Sequence, residues 1–128
     1  MENYKLILPE HLNHYGFLFG GHLLSWVDES TWIAASRDYP GCKLVTLAMD
    51  KVEFRKSVRE GSILAIRVER CREGTTSVQY TVNVFRVDSE AGGEEPVFST
   101  HVTLVRVNDE GHKVALPGKH IVEPRASH

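Results

Sequence analysis

Between Asn13 and Asp28 the chain reads Asn-His-Tyr-Gly-Phe-Leu-Phe-Gly-Gly-His-Leu-Leu-Ser-Trp-Val-Asp: a polar loop, a glycine pair and an apolar run that reaches a lone carboxylate. Leu23, Leu24, Val27, Thr31, Ala34 and Ala35 recur at the three- and four-residue intervals of a buried helix face, and Asp28 stands on or beside that face. An ionised carboxylate there must be hydrogen-bonded, paired or open to a wet pocket, because burying it bare costs roughly several kcal/mol or forces protonation. In a cleft it can take a proton or attack a carbon. If helix rotation carries it to solvent beside Glu29 and Ser25, it is an ordinary surface acid, and periodicity leaves both placements open. Gly20, Gly21 and His22 fall where the helix begins, a place whose unpaired N–H groups and positive dipole end can hold a developing anion.

The remaining composition narrows the class of protein that could use such groups. A chain of 128 residues suits one domain. Fifteen basic against seventeen acidic residues give a net charge of −2 with no block of one sign, which argues against a nucleic-acid surface or a polybasic membrane patch. The N-terminal stretch lacks a basic region followed by a long apolar run, and no segment approaches a bilayer span. Cys42 and Cys71 form neither a Cys-x-x-Cys pair nor a disulfide framework and read as reduced thiols of a cytoplasmic protein. The seven histidines show no metal-ligand spacing, so neither a metal nor a cofactor is expected.

The elements that must position the stretch are few. Residues 4–8 form a short strand candidate closed by Pro9. The helix is expected from about Gly21 to about Arg37, ending near Asp38-Tyr39-Pro40-Gly41. Four long strand candidates follow at about 44–55, 62–72, 76–87 and 97–108, rich in Val, Ile, Thr and aromatic residues; Val78, Tyr80, Val82 and Val84 alternate with polar neighbours at the period of a half-buried strand. Arg59-Glu60-Gly61, Glu73-Gly74 and Glu90-Ala91-Gly92-Gly93 punctuate them, and links so short join antiparallel neighbours. One α+β domain over residues 1–117 results, with a loosely ordered tail over 118–128. Trp26 and Trp32 are more aromatic surface than one small domain easily hides, and a long unpaired edge strand invites another chain. A symmetric dimer answers both.

Asn13, Gly16, Leu18, Phe19, Gly20, Gly21 and Asp28 together reproduce the pattern Asn-x-x-Gly-x-aliphatic-aromatic-Gly-Gly followed by a helix acid. In this the chain resembles the hot-dog-fold acyl-CoA thioesterases of the acyl-CoA hydrolase branch. Val45 to Phe54 is similar to the second strand of that family, Gly74-Thr75-Thr76-Ser77 to its third hairpin, and Val105 to Gly111 to its closing strand. Two departures stand out. Arg55-Lys56-Ser57-Val58 replaces a basic-Pro-Val run, and His14-Tyr15 is bulkier than usual and narrows the mouth of the site.

The resemblance implies a hot-dog fold, an antiparallel sheet of about five strands wrapped around one central helix, and hydrolysis of acyl-CoA to free fatty acid and CoA. It implies Asp28 as general base or nucleophile, Asn13 of the partner subunit orienting water or thioester, and Gly20, Gly21 and His22 at the oxyanion. The CoA phosphates call for charge-assisted partners, for which Arg55, Lys56, Arg70 and Arg72 are candidates, with Thr75, Thr76 and Ser77 as hydroxyl or backbone contacts. Trp26, Trp32, Phe54 or Phe19 could wall the acyl chain. The expected assembly is at least a homodimer, with tetramer or hexamer open because Gln79, Thr81 and Asn83 could pack on another sheet. A non-catalytic acyl-CoA sensor using the same pocket is an alternative, although the chain offers no effector segment. So is a hot-dog hydroxyacyl dehydratase using His14, although the His-Phe-Pro signature and helix Glu of such enzymes are missing.

Overall fold

The computed structural model describes residues 1–87 and 92–119. Its elements run β1 (Glu2–Leu6), a 3-10 turn (Pro9–His11), α1 (Gly20–Asp38), β2 (Leu44–Phe54), β3 (Ile63–Glu73), β4 (Ser77–Arg86) and β5 (Glu95–Arg106). The sheet is antiparallel throughout, in the order β1-β3-β4-β5-β2. This is a five-stranded hot-dog fold around one long helix. Of the expected connector at 90–93, Glu90 and Ala91 lie outside the described residues, as does the tail from residue 120 onward.

Each element follows from its local pattern. Val78, Tyr80, Val82 and Val84 on β4 and Phe98, Val102 and Leu104 on β5 turn inward and are essentially sealed. Against them α1 buries Leu23, Val27, Ser30, Thr31, Ala34 and Ala35. The small residues let the helix axis approach the sheet, and the Thr31 hydroxyl, which would otherwise be stranded in the core, donates to the Val27 carbonyl at 2.8 Å. Trp32 stays half-exposed with its indole N–H donating to the Leu44 carbonyl at 3.3 Å.

Two boundaries differ from expectation for identifiable reasons. The first strand begins earlier and ends at Leu6, because Ile7 leaves the ladder to exchange hydrogen bonds with the Gly61–Ser62 turn and Pro9 then starts a 3-10 turn. The glycine pair forms the first turn of α1 and no separate bend. Within the sheet, β2 is the longer of the two edge strands. It bulges between Thr46 and Ala48 and again between Asp50 and Glu53, where Lys51 adopts a φ of +51° and the buried Thr100 hydroxyl donates to the Asp50 carbonyl at 2.8 Å.

Candidate active site

The loop that carries Asn13 is shaped by Asn13 itself. Its Oδ1 accepts from the amides of Tyr15 at 2.9 Å and Phe17 at 3.1 Å, and Gly16 supplies the left-handed residue, φ +85°, that the turn demands. Anchored in this way, the Asn13 amide Nδ2 makes no hydrogen bond among the described residues and remains available as a donor. The loop is docked by the Leu18 amide on the Val58 carbonyl at 2.7 Å and the Phe19 amide on the His11 carbonyl at 2.9 Å.

Beyond the loop, α1 starts without a side-chain cap. The amides of His22 and Leu23 donate to the Phe19 carbonyl, whereas those of Gly20 and Gly21 carry no hydrogen bond among the described residues. Asn13 and Gly20 face one cleft of about 270 Å³, together with Phe17, Leu18, Leu23, Phe54, Arg55, Lys56, Ser57 and Val58. Arg55 and Lys56 are held at its rim because both of their amides turn back onto the Val97 carbonyl, at 2.8 and 3.4 Å. Arg55 also pairs with Glu53 at 3.1 Å, and Lys56 with Glu95 at 3.2 Å. A Cβ at position 20 would stand 3.3 Å from the Phe54 ring, a tight contact that glycine avoids. His22 joins Trp26 and His11 in an aromatic cluster instead.

Asp28 is half-buried midway along the helix. It lies eight residues past Gly20, roughly 12 Å along the axis, and it is not among the residues that line the cleft. Its Oδ1 accepts the Thr46 hydroxyl at 2.5 Å, the short contact of a charge-assisted bond. Thr46 sits on β2, an edge strand of the sheet. Within one chain, then, a carboxylate oriented by a hydroxyl and an amide donor beside free backbone N–H groups occupy separate surfaces.

The sequence pattern of the thioesterase superfamily matches residues 15–92. The chain belongs to that superfamily. It is 31% identical over 119 residues to the Escherichia coli acyl-CoA thioester hydrolase YciA, covering 88% of this chain and 86% of that one. Among solved structures, an acyl-CoA hydrolase from Staphylococcus aureus superposes with a TM-score of 0.83 at 28% identity, over 94% of this chain and 73% of its own. A hexameric hotdog-fold thioesterase of Campylobacter jejuni gives a TM-score of 0.75 at 35% identity, over 89% of this chain and 87% of its own. The S. aureus hydrolase has been solved with butyryl coenzyme A, coenzyme A and coenzyme A disulfide, and as alanine variants at an aspartate, an asparagine and a threonine. The chain spans 14% and 18% of the length of two mouse thioesterases and 64% of a Bacillus subtilis acyl-CoA thioester hydrolase.

In this superfamily member the expected CoA-binding residues divide between two places. Arg55 and Lys56 edge the cleft. Arg70, Arg72, Thr75, Thr76 and Ser77 lie at the far end of the sheet, where β3 turns into β4. Ser77 is seven residues from Val84, which pairs through Phe98 with Phe54, so the two groups are roughly 20 Å apart along the strands. Arg70 is engaged locally, donating to the Tyr39 hydroxyl at 3.2 Å. A larger hollow of about 620 Å³ opens beside it, between Ala34, Arg37 and Asp38 on the helix and Val68, Glu69, Arg70 and Tyr80 on the sheet.

The dehydratase alternative depended on His14, which stacks on Tyr15 at 3.9 Å on the exposed outer side of the loop. Among the described residues no group of acids, cysteines and histidines is arranged to hold a metal, and no helix is long and apolar enough to cross a membrane. Thr46, whose hydroxyl bonds the Asp28 carboxylate, is a candidate that sequence reasoning missed. The available signal was a polar side chain in an otherwise apolar strand start, Leu44-Val45-Thr46-Leu47, of a length to face the helix acid.

Proposed function

We propose that the protein is an acyl-CoA thioesterase acting as at least a homodimer, in which Asp28 and Thr46 of one subunit face Asn13, Gly20 and Gly21 of the other. The observation that carries this reading is the Asp28–Thr46 pair, a carboxylate oriented by a hydroxyl on an edge strand that pairs on one side only among the described residues. Val45, Leu47, Val52 and Phe54 expose apolar surface along that edge. Pairing it antiparallel with its own copy about a two-fold axis buries the surface and closes the sheet edge. The same operation sets the start of one β2, where Thr46 lies, against the end of the other, where Phe54 borders the cleft. The half-sites meet there.

In the assembled site Asp28 takes the proton of a water that attacks the thioester carbon, or attacks that carbon itself; in both routes the C–S bond breaks, CoA leaves as the thiol and the acyl group as the acid. The Thr46 hydroxyl fixes the carboxylate. The free amides of Gly20 and Gly21 are placed at the helix N-terminus to bind the oxyanion, and the Asn13 Nδ2 to hold the water or the thioester. Arg55 and Lys56 receive the CoA phosphates at the cleft rim, while Arg70, Arg72 and the Thr75-Thr76-Ser77 hairpin, at the other end of the sheet, reach the nucleotide seated in the partner's cleft. The aspartate, asparagine and threonine replaced in the S. aureus hydrolase are the residue types of Asp28, Asn13 and Thr46.

Mixing two inactive variants tests the divided site directly. Asn13→Ala and Asp28→Asn homodimers should each release CoA from acyl-CoA at under about 1% of the wild-type rate, in keeping with the loss of one donor or base. After subunit exchange, mixed dimers hold one intact site and should recover about a quarter of the wild-type rate. Recovery of nothing would place both residues in one subunit's site or outside it.

A further inference from the structure

Asn13 and the start of α1 are joined by a loop, and the foot of that loop decides how both are aimed. Residues 11–13 and 17–19 run antiparallel as a small hairpin. The Asn13 amide donates to the Phe17 carbonyl at 2.7 Å, Leu12 bridges Leu18, and the Phe19 amide closes the foot on the His11 carbonyl at 2.9 Å. Phe19 is the N-cap residue of α1, so the next amides in the chain are those of Gly20 and Gly21, which carry no hydrogen bond among the described residues. Any movement of the His11 backbone therefore passes to Asn13 on one side and to the two glycine amides on the other.

His11 is in turn held by its own side chain. Its Nδ1 accepts the Leu8 amide at 3.0 Å, which closes the 3-10 turn in the manner of a capping box and leaves the ring proton on Nε2. The same ring stands edge-on to Trp26, with centroids 4.9 Å apart, and to His22 at 5.4 Å, so it is braced between the 3-10 turn and the first two turns of α1. The titratable groups that face it are His22 on the helix and, across the Trp26 ring, the Lys5 ammonium on β1, 5.5 Å from that ring; Glu10 precedes it in the turn. A second proton on the His11 imidazole would turn Nδ1 into a donor facing the donor of Leu8, and the bond would be lost.

Resting on the thioesterase reading above, we infer that His11 is a positioning residue for the reaction: its neutral imidazole, tied to the Leu8 amide, sets the hairpin that aims the Asn13 amide and the Gly20 and Gly21 amides. It acts through these groups and does not touch substrate. Protonation frees the 3-10 turn and, with it, the foot of the hairpin. The groups it aims bind charge that develops in the transition state, so their displacement falls on kcat more than on KM. A misplacement of about 1 Å is enough for a loss of up to about a hundredfold.

The experiment measures kcat and KM across pH for the best substrate among acetyl-, butyryl- and octanoyl-CoA, with the melting midpoint at each pH, in the wild type, His11→Asn, His11→Phe and His22→Asn. The Asn Oδ1 takes the place of the imidazole Nδ1 and accepts from Leu8 without titrating, whereas Phe keeps a ring against Trp26 but offers no acceptor. At mildly alkaline pH His11→Phe should lower kcat at least about tenfold, with KM within about threefold. His11→Asn should recover at least about half of the wild-type kcat there and move the acid limb of kcat down by about one pH unit or more, since its amide gains no proton. His22→Asn should leave that limb in place. Wild-type kcat in a folded His11→Phe overturns the assignment, as does an acid limb unmoved in His11→Asn, or one that moves with His22→Asn instead. Should His11→Phe fail to fold, the pH profile of His11→Asn decides. A wild type that hydrolyses no acyl-CoA overturns the thioesterase reading and the role of His11 with it; normal hydrolysis with an unmoved limb overturns only the role of His11.

Discussion

Helix α1 carries two aspartates ten residues apart, and each accepts a hydrogen bond from a hydroxyl on the sheet. Asp38 receives it from Tyr80 at 2.7 Å and Asp28 from Thr46 at 2.5 Å. Tyr80 is 1% exposed on a central strand, and the polar groups around it satisfy one another: Tyr39 donates to Glu73, Arg70 donates to Tyr39, and Lys119 pairs with Glu73 at 2.9 Å. Burial, and then the Asp38 bond, push the Tyr80 phenol well above its ordinary range. The Glu73 carboxyl is held below its ordinary value of 4.5, first by the Tyr39 bond and then by Lys119. Thr46, by contrast, stands on an edge strand in the open. One acid, the last residue of the helix, is tied to a buried hydroxyl on a central strand, and the other, midway along the helix, to an exposed hydroxyl on an edge strand.

Substituting the two acids should separate them most sharply. Asp28→Asn should lower kcat by about a thousandfold or more, equivalent to about 4 kcal/mol of transition-state stabilisation, with the thermal midpoint unmoved. Asp38→Asn should keep kcat within about threefold and lower the midpoint instead, because it weakens the bond that satisfies the buried Tyr80 hydroxyl. Thiol release and a melting curve on both proteins check the pair. If both lose activity equally, the contrast between the two acids is wrong.

A smaller loss, about a hundredfold at nanomolar enzyme, should follow from Leu47→Arg, which puts a charge on the 56%-exposed edge position next to Thr46 and disfavours β2 pairing. Sedimentation velocity should show monomer, with activity returning as concentration rises. Full activity in a monomer would remove the need for a partner. Tyr80→Phe should then cost about 1 kcal/mol, the usual worth of one hydrogen bond, read as a drop of about 3–5 °C in the melting midpoint at unchanged kcat/KM.

The smallest effect concerns acid stability. Because the folded pKa of Glu73 lies below the unfolded value of 4.5, its contribution is present above that pH and disappears as pH falls through the folded value. Glu73→Gln should therefore lower stability near neutrality and flatten its decline below pH 4.5. Urea unfolding across the acid range distinguishes this from a uniform loss.

The long elements were legible because their signals are local. The 3.6-residue recurrence from Leu23 to Ala35 placed the helix within one residue at either end, and the alternation from Val78 to Val84 fixed which face of β4 is buried. The end of β1 was misplaced because Ile7 exchanges hydrogen bonds with the Gly61–Ser62 turn, some fifty residues away in sequence, and not with its own strand ladder. Asn13, Gly20 and Asp28 were singled out as candidates by type and order, whereas Thr46 could not be paired with Asp28 without knowing that the strand after the helix crosses to the sheet edge. The basic residues show the same limit, since Arg55 and Arg70 look alike in sequence and lie at opposite ends of the sheet.

What the sequence determined by itself was the set of parts: an amide, a glycine pair and an acid in one short stretch, and a helix and strands whose apolar faces must meet. Their periods are properties of a few neighbouring residues and need no knowledge of the rest of the chain. Only the tertiary structure decided that Asp28 stands outside the cleft that Asn13 and Phe54 line and that the Thr46 hydroxyl bonds the acid, because strand order and the packing of α1 on the sheet arise from contacts distant in sequence.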